Sequence, residues 1–243
     1  MPSFDLIGFD GDDTLWHNER VYRMARERFR ELLARSGVRS TEEEIDERVN
    51  QTELRNLSHY GYGVSSFVLS LIECSIELTS GRIPADDILE MLHLSKDMIA
   101  TSVDLFDGAE EALARVAATH PLMLITKGDL LHQRAKVDQS GLGGYFRHVE
   151  VVSDKTKETY AALLSRHAID PSRFLMVGNS VRSDIAPVVQ VGGWAVYIPA
   201  ELAWSHEDAD LPDRGRDRCF ALERLRDLPA LIDDLRSPRE AAR

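Results

Sequence analysis

The chain has 243 residues, 43% hydrophobic and 29% charged, which suits one large domain, or a domain with an insertion, built on a real core, and excludes global disorder. Its formal net charge of −12 excludes a nucleic-acid backbone or an anionic membrane surface as the natural partner, but a locally positive site for a small phosphorylated substrate remains open. Cys74 and Cys219 lie far apart, which reads as two reduced buried thiols. "MPSFDLIGFD" lacks the charged and apolar regions of a signal peptide, and no apolar run approaches the ~20 residues of a membrane span, so a cytoplasmic protein is expected.

A short apolar run, Phe4 to Phe9, predicts a strand covered on both faces. It ends in "FDGDDTLW", where Asp10, Asp12 and Asp13 put three carboxylates within four residues. After Trp16 the pattern turns helical. Tyr22, Ala25, Phe29, Leu32 and Leu33 recur on one face, and Gly37 closes that helix. Thr41 and Glu44 fit a capping box for a second helix to about Leu57. Val64, Phe67, Val68, Leu71, Ile72 and Ile76 mark a third, and Pro84 suits the first turn of a fourth that ends near Ser102.

From Asp107 strands and helices alternate. The expected strands are Leu122 to Thr126, Val149 to Val152, Phe174 to Gly178 and Trp194 to Ile198. The helices between them are Gly108 to Ala118, Leu130 to Ser140, Thr156 to Ala168 and Ser183 to Val191. Such alternation predicts a parallel sheet. The first strand is too short to stand alone and is expected to join that sheet. The fold class is therefore α/β, with residues 1–16 and 101–243 as the core and an all-helical insertion over 17–100. A short strand, Cys219 to Leu222, and a helix to about Leu235 are expected in the tail, with "SPREAAR" frayed beyond them.

Ligands of open parallel sheets bind beyond the carboxyl ends of the strands. Those ends carry Asp10, Asp12 and Thr14; Thr126, Lys127, Gly128 and Asp129; Ser153, Asp154 and Lys155; Asn179, Ser180 and Asp184. Carboxylates with a lysine suggest Mg²⁺ and a phosphate, because Mg²⁺ takes hard oxygen ligands and also offsets repulsion between aspartates. One carboxylate can attack phosphorus, and a second can move the proton of the leaving oxygen and of water. A hydroxyl, backbone N–H groups and a lysine can hold the non-bridging oxygens.

"DGDDT" resembles the DxDx[TV] motif of the haloacid dehalogenase-like hydrolases. "LMLITKG", "SDKTKETY" and "MVGNSVRSD" are similar to that superfamily's second, third and fourth motifs, in order. The resemblance implies a Rossmann-like core with an inserted helical C1 cap. It also implies Asp10 as nucleophile, forming an aspartyl-phosphate, and Asp12 as general acid/base, with the Asp12 backbone carbonyl on Mg²⁺. Thr126, Lys155 and the turn at Gly128 would hold the phosphoryl group, Lys157 being the alternative lysine. Asp10, Asp12, Asn179 and Asp184 would form the metal site. The family usually has an acidic residue where this chain has Asn179, so either that amide ligates the cation weakly or Asp184 replaces it.

The function these expectations describe is a Mg²⁺-dependent phosphatase for a small phosphate monoester, with a phosphorylated metabolite as partner and neither nucleic acid nor membrane. The family's dehalogenases typically lack the second aspartate, because halide departure needs no proton. A non-catalytic, regulatory phosphate-binding member is the alternative, favoured by Asn179; a dehalogenase or a phosphomutase is weaker. Asp13 reads as a turn or solvent-facing residue. Trp16, Tyr60, Tyr62 and Phe67 could line an entrance or simply pack. The histidines show no zinc spacing.

Overall fold

The computed structural model describes residues 3–202, 204–207 and 218–236. The tail "SPREAAR" lies outside them. The chain divides into two compact units: the described residues of Met1–His17, Val103–Thr126 and Ala135–Arg243, and a second made of Asn18–Ser102 with Lys127–Arg134. The sequence reading placed 127–134 with the α/β part; by packing they group with the helices.

The second unit holds α1 (Glu19–Arg35), α2 (Glu42–Tyr60), α3 (Val64–Leu78) and α4 (Ala85–Ala100). Its core is the stripe that helical spacing exposed: Ala25, Phe29, Leu32 and Leu33 of α1 against Val49 of α2, Phe67 and Leu71 of α3 and Met91 of α4. Burying such a face supplies most of the stability of helices this long. The α2 start has the expected capping box, with the Thr41 hydroxyl accepting from Glu44 N and the Glu44 carboxylate accepting from Thr41 N. Pro84 sits one position earlier than expected, as the extended residue that caps α4.

The first unit is built on β1 (Leu6–Phe9), β2 (Leu122–Lys127), β3 (Phe146–Val152), β4 (Phe174–Gly178), β5 (Trp194–Tyr197) and β6 (Cys219–Ala221). They form one six-stranded sheet in the order β3-β2-β1-β4-β5-β6. The first strand of the chain thus lies inside the sheet, parallel to β2 and β4, with Ile7 opposite both Leu122 and Leu175. The remaining helices are α5 (Ala109–Ala117), α6 (Leu130–Ser140), α7 (Lys157–Arg166), α8 (Ala186–Gln190) and α9 (Leu228–Arg236).

Period-two alternation sends each strand's residues to two cores. Ile7, Phe9, Leu124, Leu175 and Val177 pack with Leu113, Val137, Leu228 and Ile232 on one face. Leu6, Met123, Ile125, Phe174 and Met176 pack with Tyr160, Leu163, Leu164 and Val188 on the other. Gly8 in β1 faces the second core, where a Cβ would fall 2.7 Å from the Phe174 ring. Among the described residues neither cysteine forms a disulfide, and both are buried. No helix among the described residues is long and apolar enough to cross a membrane.

Candidate active site

β1 continues for one more residue through Asp10 N, which donates to Val177 O at 2.9 Å. The chain then folds back on itself. Thr14, Leu15 and Trp16 all donate backbone N–H groups to Gly11 O, and Asp13 takes a left-handed conformation (φ 59°) while its N–H bonds Trp16 O. Asp13 is thus the turn residue of the loop. Gly11 is required by packing, since a Cβ there would lie 2.5 Å from the Trp16 ring. This loop fixes Asp10 and Asp12 at the carboxyl end of an interior strand.

Asp10 is 6% exposed. One carboxylate oxygen bonds Lys155 Nζ, and the other accepts from Thr14 Oγ1 at 3.2 Å. Lys155 Nζ also reaches Asp184 Oδ1 at 2.7 Å, so one ammonium joins two carboxylates in a dry place. Lys157, two residues on, is the exposed first residue of α7. Asp184 is oriented by the backbone N–H of Ser180, 3.0 Å from its Oδ2.

Asp184 lies in a π-type turn, Val181–Ile185, which precedes α8. Such turns add a residue to a helical start and recur at functional sites. A Cβ on Gly178 would collide with the Asp184 side chain, so the glycine at the end of β4 makes room for that carboxylate.

Burial pushes the Asp10 carboxyl up to about 7; Lys155 pulls it down, and the charges of Asp184 and Asp12 add to the rise. Burial also opposes the charge on Lys155, but Asp10 and Asp184 more than offset it and hold that ammonium well above its usual range. Lys155 is therefore the fixed positive charge of the cluster. A buried ion pair is stable only when its remaining hydrogen bonds are made, and here Thr14 and Ser180 N–H supply them.

Thr126, at the end of β2, is 1% exposed, and its Oγ1 has no hydrogen-bond partner among the described residues. An unsatisfied buried hydroxyl is costly and calls for a physical reason; a group bound at this strand end would provide one. Gly128 has a φ of +135°, and a Cβ there would lie 2.9 Å from Gln133 Nε2. The surrounding turn is tied within the helical unit, with Lys127 Nζ 3.9 Å from the Tyr62 ring centroid and Ser65 N donating to Asp129 Oδ2 at 3.1 Å.

In the orientation that satisfies its hydrogen bonds, the Asn179 amide nitrogen donates to Asp10 Oδ2 (3.1 Å), the Asp12 backbone oxygen (3.2 Å) and Thr14 Oγ1 (3.2 Å). Turned by half a rotation, the amide would present its oxygen to those same atoms. Two carbonyl-type oxygens and a carboxylate oxygen make a hard donor set that fits Mg²⁺. Among the described residues, no three His, Cys, Asp or Glu side chains are grouped to hold a metal.

Sequence reasoning missed Lys136 and did not foresee the contact of Trp16 with Asp12. Lys136 Nζ lies 2.8 and 3.0 Å from the Asp12 carboxylate oxygens, and Trp16 Nε1 donates to Asp12 Oδ1 at 2.6 Å. Trp16 is buried, so it does not line an open entrance. The available signal for Lys136 was a lysine on the stripe of α6 that buries Gln133 and Val137, where lysine is rare without a partner. Of the other aromatics, Phe67 packs in the helical core against Tyr22, and Tyr60 is exposed.

The parallel α/β sheet thus carries paired aspartates after an interior strand, a lysine shared between two carboxylates and, at the end of β2, a buried threonine hydroxyl. A family model described as haloacid dehalogenase-like hydrolase matches residues 4–192, and the chain belongs to that family. A haloacid dehalogenase-like family hydrolase from Xanthomonas campestris is 37% identical over 97% of each chain, with a TM-score of 0.82. The HAD-hydrolase YfnB from Bacillus subtilis, solved with magnesium bound, shares the fold at 16% identity and a TM-score of 0.68, over 95% of this chain and 99% of that one. A 2-haloacid dehalogenase from Pseudomonas syringae pv. tomato does so at 22% and 0.64, over 96% and 99%. No curated protein matches the chain.

Proposed function

We propose that this hydrolase is a Mg²⁺-dependent phosphatase that cleaves a small phosphorylated metabolite through an aspartyl-phosphate on Asp10. The observation that carries this reading is Asp12: a second carboxylate, two residues past the nucleophile and held by Lys136 and Trp16. A departing alkoxide needs a proton donor and a halide does not, so this residue favours ester cleavage over dehalogenation.

Asp10 would attack phosphorus in line, forming its O–P bond as the ester P–O bond breaks. Asp12 would give its proton to the leaving oxygen, then take one from the water that hydrolyses the aspartyl-phosphate. Thr126 Oγ1 would donate to a non-bridging oxygen, and Lys155 would balance the charge gathered around Asp10. Magnesium, held by Asp10, the Asp12 carbonyl and Asn179 with Asp184 behind, would neutralise phosphate oxygens. The helical unit would act as the family's cap and carry specificity.

Asn179 favours a second reading, a phosphate-binding regulator without turnover, because an amide brings no charge to the cation. Purified protein is expected to release phosphate from para-nitrophenyl phosphate and from members of a panel of metabolite phosphates. Chelation should stop the reaction, and Asp10→Asn should abolish it. No release from any ester would overturn the phosphatase reading in favour of the regulator.

A further inference from the structure

Asp12 is held from two sides by residues outside the four family motifs. Lys136, 124 positions further along the chain, reaches both of its carboxylate oxygens, and the Trp16 indole donates to one of them. Both holders are buried. An ammonium out of water costs several kcal/mol unless it is paired, so a lysine kept on the buried stripe of α6 has its compensation in Asp12. The indole is equally constrained, by Gly11 beneath its ring and by backbone bonds on either side of Trp16.

We infer that Lys136 is the positioning residue for Asp12: with Trp16 it fixes the orientation in which that carboxylate is presented. Lys136 is not a catalytic residue, since it acts through Asp12. This inference rests on the phosphatase reading for its kinetic consequence. In the second half-reaction Asp12 accepts a proton from water as the water oxygen bonds phosphorus and the Asp10 O–P bond breaks. A carboxylate free to rotate would be a poor base for that water. The first half-reaction with para-nitrophenyl phosphate depends on it less, because nitrophenolate leaves without a proton.

The test compares wild type, Lys136→Met and Lys136→Arg. General base catalysis contributes ~10²–10⁴-fold, so in Lys136→Met kcat for para-nitrophenyl phosphate should fall by about 10-fold or more while kcat/KM falls less. A burst of nitrophenolate, one per enzyme, should accompany the fall, and Lys136→Arg should restore part of kcat. Equal losses in kcat and kcat/KM, or no loss, would overturn the inference.

A second measurement needs no turnover. The Trp16 indole N–H resonance, assigned with Trp16→Phe, reports its bond to Asp12. In Lys136→Met it should move toward its position in Asp12→Ala. An unmoved resonance would overturn the clamp. Absence of phosphate release in wild type would instead strike the phosphatase reading, and the indole signal would still decide the role of Lys136.

Discussion

On the proposed phosphatase reading, Thr126 separates function from folding at the scale of one residue. Its hydroxyl is buried and has no partner among the described residues, so replacing it with an apolar group of the same shape removes a desolvation cost rather than a bond. Thr126→Val is expected to leave the melting temperature unchanged or slightly raised. The same change should lower kcat/KM for phosphate esters by ~10²-fold, as loss of a single oxyanion donor does. Calorimetry and a phosphate-release assay on one preparation check both halves; a destabilised variant would mean that the hydroxyl has a structural partner. Asp10 and Thr126 were legible as candidates because each stands at a strand end that an apolar run marks out, and Lys155 because it lies in the lysine-bearing turn after β3. Lys136 and Trp16 were not, because their contacts with Asp12 depend on how α6 and the Gly11 loop pack, and no short spacing encodes that.

At the scale of elements, local chemistry was read well where a side chain closes a bond within a few residues. The Thr41–Glu44 box that starts α2 is such a case, and Thr41→Ala should cost ~0.5–2 kcal/mol, measured by urea denaturation. An unchanged midpoint would mean that the three glutamates of the first turn hold the helix start without the cap. The start of one element and the form of another escaped the reading. β3 begins at Phe146, three residues before the expected Val149, because it is an edge strand of mostly half-exposed residues rather than an apolar run. The π-type turn at Val181–Ile185 adds a residue that helical periodicity does not register. That turn places Asp184 beside Lys155, so an irregularity invisible to pattern reading shapes the candidate site.

At the scale of the molecule, stability varies with pH through a group far from the strand ends in sequence. Glu53 of α2 is buried and paired with Arg26 of α1. Burial pushes its carboxyl up to about 7, against the pull of Arg26. The folded state therefore holds a proton that the unfolded chain releases near pH 4.5. The stability this group adds is complete below that pH and is lost as pH rises through about 7. Urea midpoints of wild type relative to Glu53→Gln should accordingly fall between pH 5 and pH 7.5 and level off above. A difference that stays constant across the range would show that Glu53 folds as a charged partner of Arg26.

The helical unit has a hydrophobic core of its own, with Phe29, Leu71 and Met91 packed among residues of Asn18–Ser102. Energetic effects add when sites share no partners. The cores of the two units have no residue in common, so stability losses from substitutions in one should add to losses from substitutions in the other. A lineage can then repack one core while the other keeps its residues.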